Sequence, residues 1–257
     1  MTTTTSPDGV DLYHEDSGSG TPIVLIHGAA RSGRSFTDLV PLLVEQGYRV
    51  IVPDMRGLGR SQRVPPVHPR QWVSDIAELI RQLSPGEPVV VAGVSLGSRV
   101  GGKLALEYPE IVRALVVDAP MIGLSSSGNA ELNTQFAAPK NNPDDVAEYQ
   151  RQHGEDWENA VKFYFETRNG PEFQSYLTLR PDLARLTVPT LICRGDFEDA
   201  VHPIDDSFTW HAMAPSTNLW IAPGAAESSV FRGRKNEFLA ILAEFLKRIG
   251  AAAQSAA

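Results

Sequence analysis

One cysteine in 257 residues leaves no disulfide framework, and a chain of this length buries enough surface to need none. Cys193 ends the apolar run Thr190-Leu191-Ile192-Cys193, where a buried thiol is expected. No hydrophobic run approaches the roughly 18 residues of a membrane span, so no membrane partner is expected. Basic residues are the minority: 23 Lys and Arg face 31 Asp and Glu, a net charge of −8 that argues against nucleic acid or an anionic membrane surface. The start, Met1-Thr2-Thr3-Thr4-Thr5, lacks a basic or apolar leader, so no secretory signal is read and a cytoplasmic location is expected. Internal repeats are absent. Low complexity is confined to the threonine start and to residues 251–257, both expected to fray. A chain that is 42% hydrophobic and 21% charged is an ordinary soluble globule, here expected to form one α/β domain over 1–257. Its oligomeric state is not legible.

Short runs rich in Val, Ile and Leu recur at 22–27, 49–52, 88–93, 114–118, 190–194 and 218–221. Such runs suit parallel strands buried on both faces. Between them lie helical spacings, as in Trp72, Ile76, Leu79, Ile80 and Leu83, and in Phe238, Ile241, Leu242, Phe245 and Ile249. The alternation predicts a doubly wound, mostly parallel sheet flanked by helices, with ligands at the C-terminal strand ends. From 121 to 186 the rhythm breaks into strandless helical pieces bearing Tyr149, Trp157, Phe163, Tyr164, Phe165 and Tyr176. An excursion this long is usually functional, and it is read as a small helical cap over the site. The alternative is an additional packed layer with no part in binding.

Two short segments carry the chemistry. Gly93-Val94-Ser95-Leu96-Gly97 follows a buried strand and precedes a good helix, which holds a serine exposed on a tight turn. A serine hydroxyl is a poor nucleophile unless it is presented and given a base. The same turn sets the Leu96 N–H at a helix N-terminus, where it can stabilise an oxyanion, and the Ala29 N–H of Ile26-His27-Gly28-Ala29-Ala30 is the candidate second donor. His27 itself reads as a buried structural imidazole rather than a proton carrier. The turn Asp54-Met55-Arg56-Gly57-Leu58-Gly59-Arg60-Ser61 reads as architectural.

His27-Gly28, Asp54-x-Arg56-Gly57-x-Gly59-x-Ser61, the Ser95 turn and the terminal helix, in this order, resemble the α/β-hydrolase superfamily over nearly the whole chain. The resemblance implies the α/β-hydrolase fold and a cofactor-free site ordered Ser, then Asp or Glu, then His. It also implies a small-molecule substrate, drawn from esters, lactones, amides or C–C bonds. In the acid loop Arg194-Gly195-Asp196-Phe197-Glu198-Asp199-Ala200-Val201-His202-Pro203, counting forward from Gly195 selects Glu198 and counting back from Pro203 selects Asp199, the preferred choice. Asp196 reads as a turn residue. The histidine position departs from the pattern: Pro223-Gly224-Ala225-Ala226-Glu227-Ser228 presents Glu227 there, and no histidine follows His211. His202 could line the mouth, but a surface-loop histidine before proline is the stronger expectation.

The residues then admit three readings. Ser95, Glu227 and Asp199 could form a degenerate triad, similar in residue types to the sedolisin peptidases, in which a carboxylate is the base for ester or lactone cleavage. The fold could instead serve a non-hydrolytic catalyst, such as a lyase or cyclase. It could also be a binding or pseudo-enzyme protein, or a variant inactivated by substitution. The cap's aromatics favour a partly apolar substrate, and Arg31, Arg34 and Arg99 near the expected mouth permit an acidic group.

Overall fold

The computed structural model describes residues 2–255. Among these residues, eight strands form one sheet: β1 (Thr2–Thr5), β2 (Asp11–Ser17), β3 (Thr21–Ile26), β4 (Tyr48–Pro53), β5 (Val89–Val94), β6 (Val112–Asp118), β7 (Thr190–Gly195) and β8 (Thr217–Ala222). Their spatial order is β1-β2-β4-β3-β5-β6-β7-β8. From β4 to β8 every pairing is parallel, whereas β1–β2 and β2–β4 are antiparallel. Helices α1 (Val40–Glu45), α2 (Arg70–Leu83) and α3 (Leu96–Glu107) connect the first parallel strands. After β6 come α4 (Ser126–Ala137), α5 (Pro143–His153), α6 (Trp157–Arg168) and α7 (Pro171–Leu177). The chain then closes with α8 (Ile204–Met213), α9 (Val230–Gly233) and α10 (Lys235–Ser255).

The core follows from alternation along the central strands. In β5, Val89 and Val91 face one side with α2 and α3, while Val90 and Ala92 face the other with α10. Both faces are covered, so both must be apolar. Because β3 lies between β4 and β5, the chain order reverses at its C-terminal end and opens a crevice there.

Two expectations need correction. The threonine start does not fray but forms β1, paired to β2 from Thr2↔His14 to Thr5↔Asp11. These edge strands are largely polar, and only alternate side chains such as Leu12 and His14 are buried, so they lack an apolar run. At the other end α10 continues through Ser255 in place of the expected frayed tail, and 256–257 lie outside the described residues. Most aromatics of the 121–186 region pack among themselves or on α2: Tyr149 stacks on Trp157 at 5.8 Å, and Phe163 meets Trp72 edge-on at 6.4 Å. Among the described residues, no helix is long and apolar enough to cross a membrane.

Candidate active site

Among the described residues, three other than glycine have left-handed backbone: Ala30 at φ 46°, Ser95 at φ 54° and Ala119 at φ 45°. They follow β3, β5 and β6 respectively, so the strained backbone is gathered around one end of the sheet. Ser95 is pinned there because its N–H donates to Asp118 O at 3.0 Å and its carbonyl accepts from Ser98 Oγ at 2.6 Å. The flanking glycines are required by close approach. A Cβ at Gly93 would strike the Gly97 carbonyl, and one at Gly97 would strike Ile26 O.

The hydroxyl so presented has an imidazole for a neighbour. His202 Nε2 lies 2.8 Å from Ser95 Oγ, and His202 Nδ1 lies 3.0 Å from Asp199 Oδ1. An ionised carboxylate only accepts, so Nδ1 carries the proton and Nε2 is free to accept from the serine hydroxyl. Asp199 also accepts from the backbone N–H groups of Val201 and His202, at 3.0 and 2.7 Å. Burial would raise its pKa, but the bonds and charge of His202 outweigh that and pull it down to about 2. Glu198 is exposed and accepts from Ile204 N–H at 2.9 Å, away from the imidazole.

The geometry corrects the expectation for Glu227. Its carboxylate is held by Arg232 Nη2 at 2.5 Å, and the partner of Ser95 is His202, not Glu227. It corrects the expectation for His202 too, whose side chain is only 18% exposed. Sequence comparison with the family pattern missed it because β7 and β8 are adjacent in the sheet. A base can therefore reach the serine from either loop, and His202 comes from the loop that also carries Asp199.

Arg194, also missed, fixes that loop. Wholly buried at the end of β7, it donates through Nε to Gly195 O at 2.7 Å, through Nη1 to His202 O at 2.9 Å, and through Nη2 to Phe197 O. Its signal was a lone guanidinium ending an apolar strand. The neighbouring loop after β8 is fastened differently. Asp196 accepts from the Gly224 and Ala225 amides, each at 2.8 Å. Asp118 accepts from Ser229 Oγ at 2.5 Å and from the N–H groups of Val230 and Phe231 at 2.9 and 3.1 Å. Burial still pushes the Asp118 carboxyl up to about 6.

Ala29 and Leu96 both border the cavity at Ser95, and Gly28 packs against the serine. Among the described residues, neither the Ala29 nor the Leu96 amide donates to a protein acceptor. His27 is spent on structure: Met55 N–H donates to its Nε2 and its Nδ1 meets Gly28 O, both at 3.0 Å. Asp54 accepts from Gly33 N–H and Arg60 N–H, each at 2.7 Å, and so ties the architectural turn together.

Two cavities meet at Ser95 and His202. One, of about 320 Å³, lies against the 121–186 helices and is walled by Leu132, Phe136, Tyr164 and Phe173. The other, of about 200 Å³, runs past Gly28, Phe36 and Ala119. Arg99 borders the first and Arg31 borders both, whereas Arg34 turns to Arg151 O at 2.6 Å and borders neither. The site can thus hold a carbonyl compound at the serine with a substituent in each cavity.

Known proteins supply the remaining comparison. A family model described as the alpha/beta hydrolase fold matches residues 21–185. BpoC of Mycobacterium tuberculosis is 34% identical over 111 residues, 43% of this chain and 42% of that protein, so the match spans about two fifths of that relative. The non-heme chloroperoxidase CPO-A1 of Kitasatospora aureofaciens is 26% identical over 95% of this chain and 98% of its own. The solved esterase EaEST from Exiguobacterium antarcticum superposes with a TM-score of 0.73 at 25% identity, covering 96% of this chain and 99% of that one.

Proposed function

The chain belongs to the alpha/beta hydrolase fold family, and on that premise we propose that it is a serine hydrolase of small esters or lactones whose triad is Ser95, His202 and Asp199. One observation carries the reading: the continuous line from Ser95 Oγ through His202, at 2.8 Å, to Asp199, at 3.0 Å. The degenerate triad with Glu227 is set aside. The non-hydrolytic and binding readings rested on a missing histidine, and they lose their motive once His202 takes its place.

In this reading the 121–186 helices are a cap that walls the acyl or alcohol part of the substrate. Ser95 Oγ attacks the carbonyl carbon while its proton passes to His202 Nε2. Charge collects on the carbonyl oxygen, where the free Leu96 and Ala29 amides stabilise it. Collapse expels the alcohol, which takes the proton from His202, and leaves an acyl-serine. Water then attacks this ester with His202 as base, releasing the acid and restoring the hydroxyl. Asp199 keeps the imidazole in its Nδ1–H form and balances its transient charge.

A fluorophosphonate probe tests the reading. Wild-type protein is expected to label at Ser95 and lose activity on a short-chain p-nitrophenyl ester in step. Labelling should vanish in Ser95→Ala and slow strongly in His202→Ala. Unimpaired labelling of His202→Ala would overturn the triad.

A further inference from the structure

Among the described residues, two charges at the larger cavity have no carboxylate partner. Arg99 lies on α3, four residues beyond Ser95, and Arg168 ends α6; they are 1% and 3% exposed, and both border the cavity. Every hydrogen-bond acceptor they meet is neutral. Arg99 Nε donates to Leu177 O at 2.9 Å and its Nη2 to Gln174 Oε1 at 3.1 Å. Arg168 Nη2 donates to Asn129 Oδ1 at 2.9 Å, its Nη1 donates to Asn133 Oδ1, and its Nε is buried with no partner.

The other charges bordering the cavity are accounted for. Asp199 is bonded to His202, Glu227 to Arg232, and Arg31 lies 3.6 Å from Glu148. Glu131 is exposed at the rim. Asp206 acts on Arg99 through space, but its Oδ2 accepts from Ile122 N–H at 3.0 Å. Burial drives the pKa of Arg99 down to about 10, the response of a cation that lacks an anion. Taking a guanidinium out of water without a paired charge is costly, and a ligand anion between the two would offset that cost.

We propose that this cavity is a carboxylate subsite, in which Arg99 and Arg168 receive an anionic group that the substrate carries besides its reacting carbonyl. Ser95, Arg99 and Arg168 border one cavity of about 320 Å³, so a short carbon spacer separates the two groups. Arg is suited to the task because its planar fork matches a carboxylate. The substrate class is then a half-ester of a short dicarboxylic acid, or an ester of a short hydroxy acid. The proposal rests on the hydrolase reading for turnover but not for binding, and the experiment separates the two.

Binding is measured first, by calorimetry with glutarate on the Ser95→Ala protein. Glutarate is expected to bind and its neutral diamide to bind at least tenfold more weakly. Adding Arg168→Gln should weaken glutarate at least tenfold, and Arg168→Lys should restore part of the loss. Thermal melting of each variant confirms that it folds. Turnover by the wild type is then compared for monoethyl glutarate and 4-acetoxybutanoate, each against its isosteric amide. At least one acid should exceed its amide tenfold or more in kcat/KM, with Arg168→Gln removing the preference through KM. If glutarate binds as expected but no ester is cleaved, the subsite stands and the hydrolase reading fails. If glutarate does not bind, or binds equally to folded Arg168→Gln, the subsite is wrong even where neutral esters are cleaved.

Discussion

The loops after β7 and β8 are neighbours at the same end of the sheet, yet they are built for different tasks. The loop after β7 carries Asp199 and His202 three residues apart, and Arg194 binds it from below through three carbonyls. The loop after β8, where the family pattern expects the histidine, carries Glu227 paired to Arg232. It is held at its edges by Asp196 and Asp118. In the proposed triad, the base is set by where an imidazole can reach Ser95, not by which strand precedes it. One loop can deliver both acid and base if it is held stiffly enough.

The sharpest way to break this contrast within the first loop is to exchange its two acids. Asp199→Asn is expected to lower kcat by about 10⁴-fold, since it leaves the imidazole in the wrong tautomer and without its counter-charge. Glu198→Gln should leave kcat within about twofold, as an exposed carboxylate on a backbone amide contributes little to an interior site. A larger loss in Glu198→Gln would shift the acid by one residue.

A smaller effect is expected beneath the loop. Arg194→Met keeps most of the volume but frees the carbonyls of Gly195, Phe197 and His202. A misplacement near 1 Å can cost about 10²-fold, so kcat should fall by roughly that factor while KM changes little. An unchanged kcat in the folded variant would show that the loop holds its shape without Arg194.

The last contrast sets His202 against a histidine with a different task. His153 Nδ1 accepts from Gly59 N–H at 2.9 Å and its Nε2 meets Ala30 O at 3.1 Å, joining α5 to two loops. Burial pulls its pKa down from 6.5 to about 4. The unfolded chain thus binds this proton first, and the stability His153 contributes is complete above pH 6.5 and lost as pH falls toward 4. Asp118 works in the opposite direction: with its carboxyl raised from 3.8 to about 6, acidification across that window favours the folded state. The stability difference between wild type and His153→Gln, from urea unfolding, should therefore shrink by about 3 kcal/mol between pH 7 and pH 4. A pH-independent difference would contradict the burial of a neutral imidazole.

These contrasts also mark what the sequence alone could and could not reveal. The parallel strands, the turn at Ser95 and its glycines were legible because each rests on a local rule: buried strands are apolar, and a left-handed serine needs small neighbours. Asp199 was reachable by counting back from Pro203. His202 was not, because its role depends on the adjacency of β7 and β8, which no spacing encodes. The β1–β2 hairpin escaped because polar edge strands carry no apolar run. Arg168 gave no signal at all, since an arginine closing α6 looks like an ordinary helix-terminal cation until its burial is known.

The central claim is that the base for Ser95 comes from the loop after β7. It is tested most directly by kcat/KM of two single variants, His202→Gln and Glu227→Gln, on one ester at the wild-type optimum. His202→Gln is expected to lose about 10⁶-fold. Glu227→Gln, which breaks a solvent-accessible ion pair at the cavity edge, should stay within about fivefold of wild type. A collapse in Glu227→Gln with turnover preserved in His202→Gln would place the base after β8 and contradict this account.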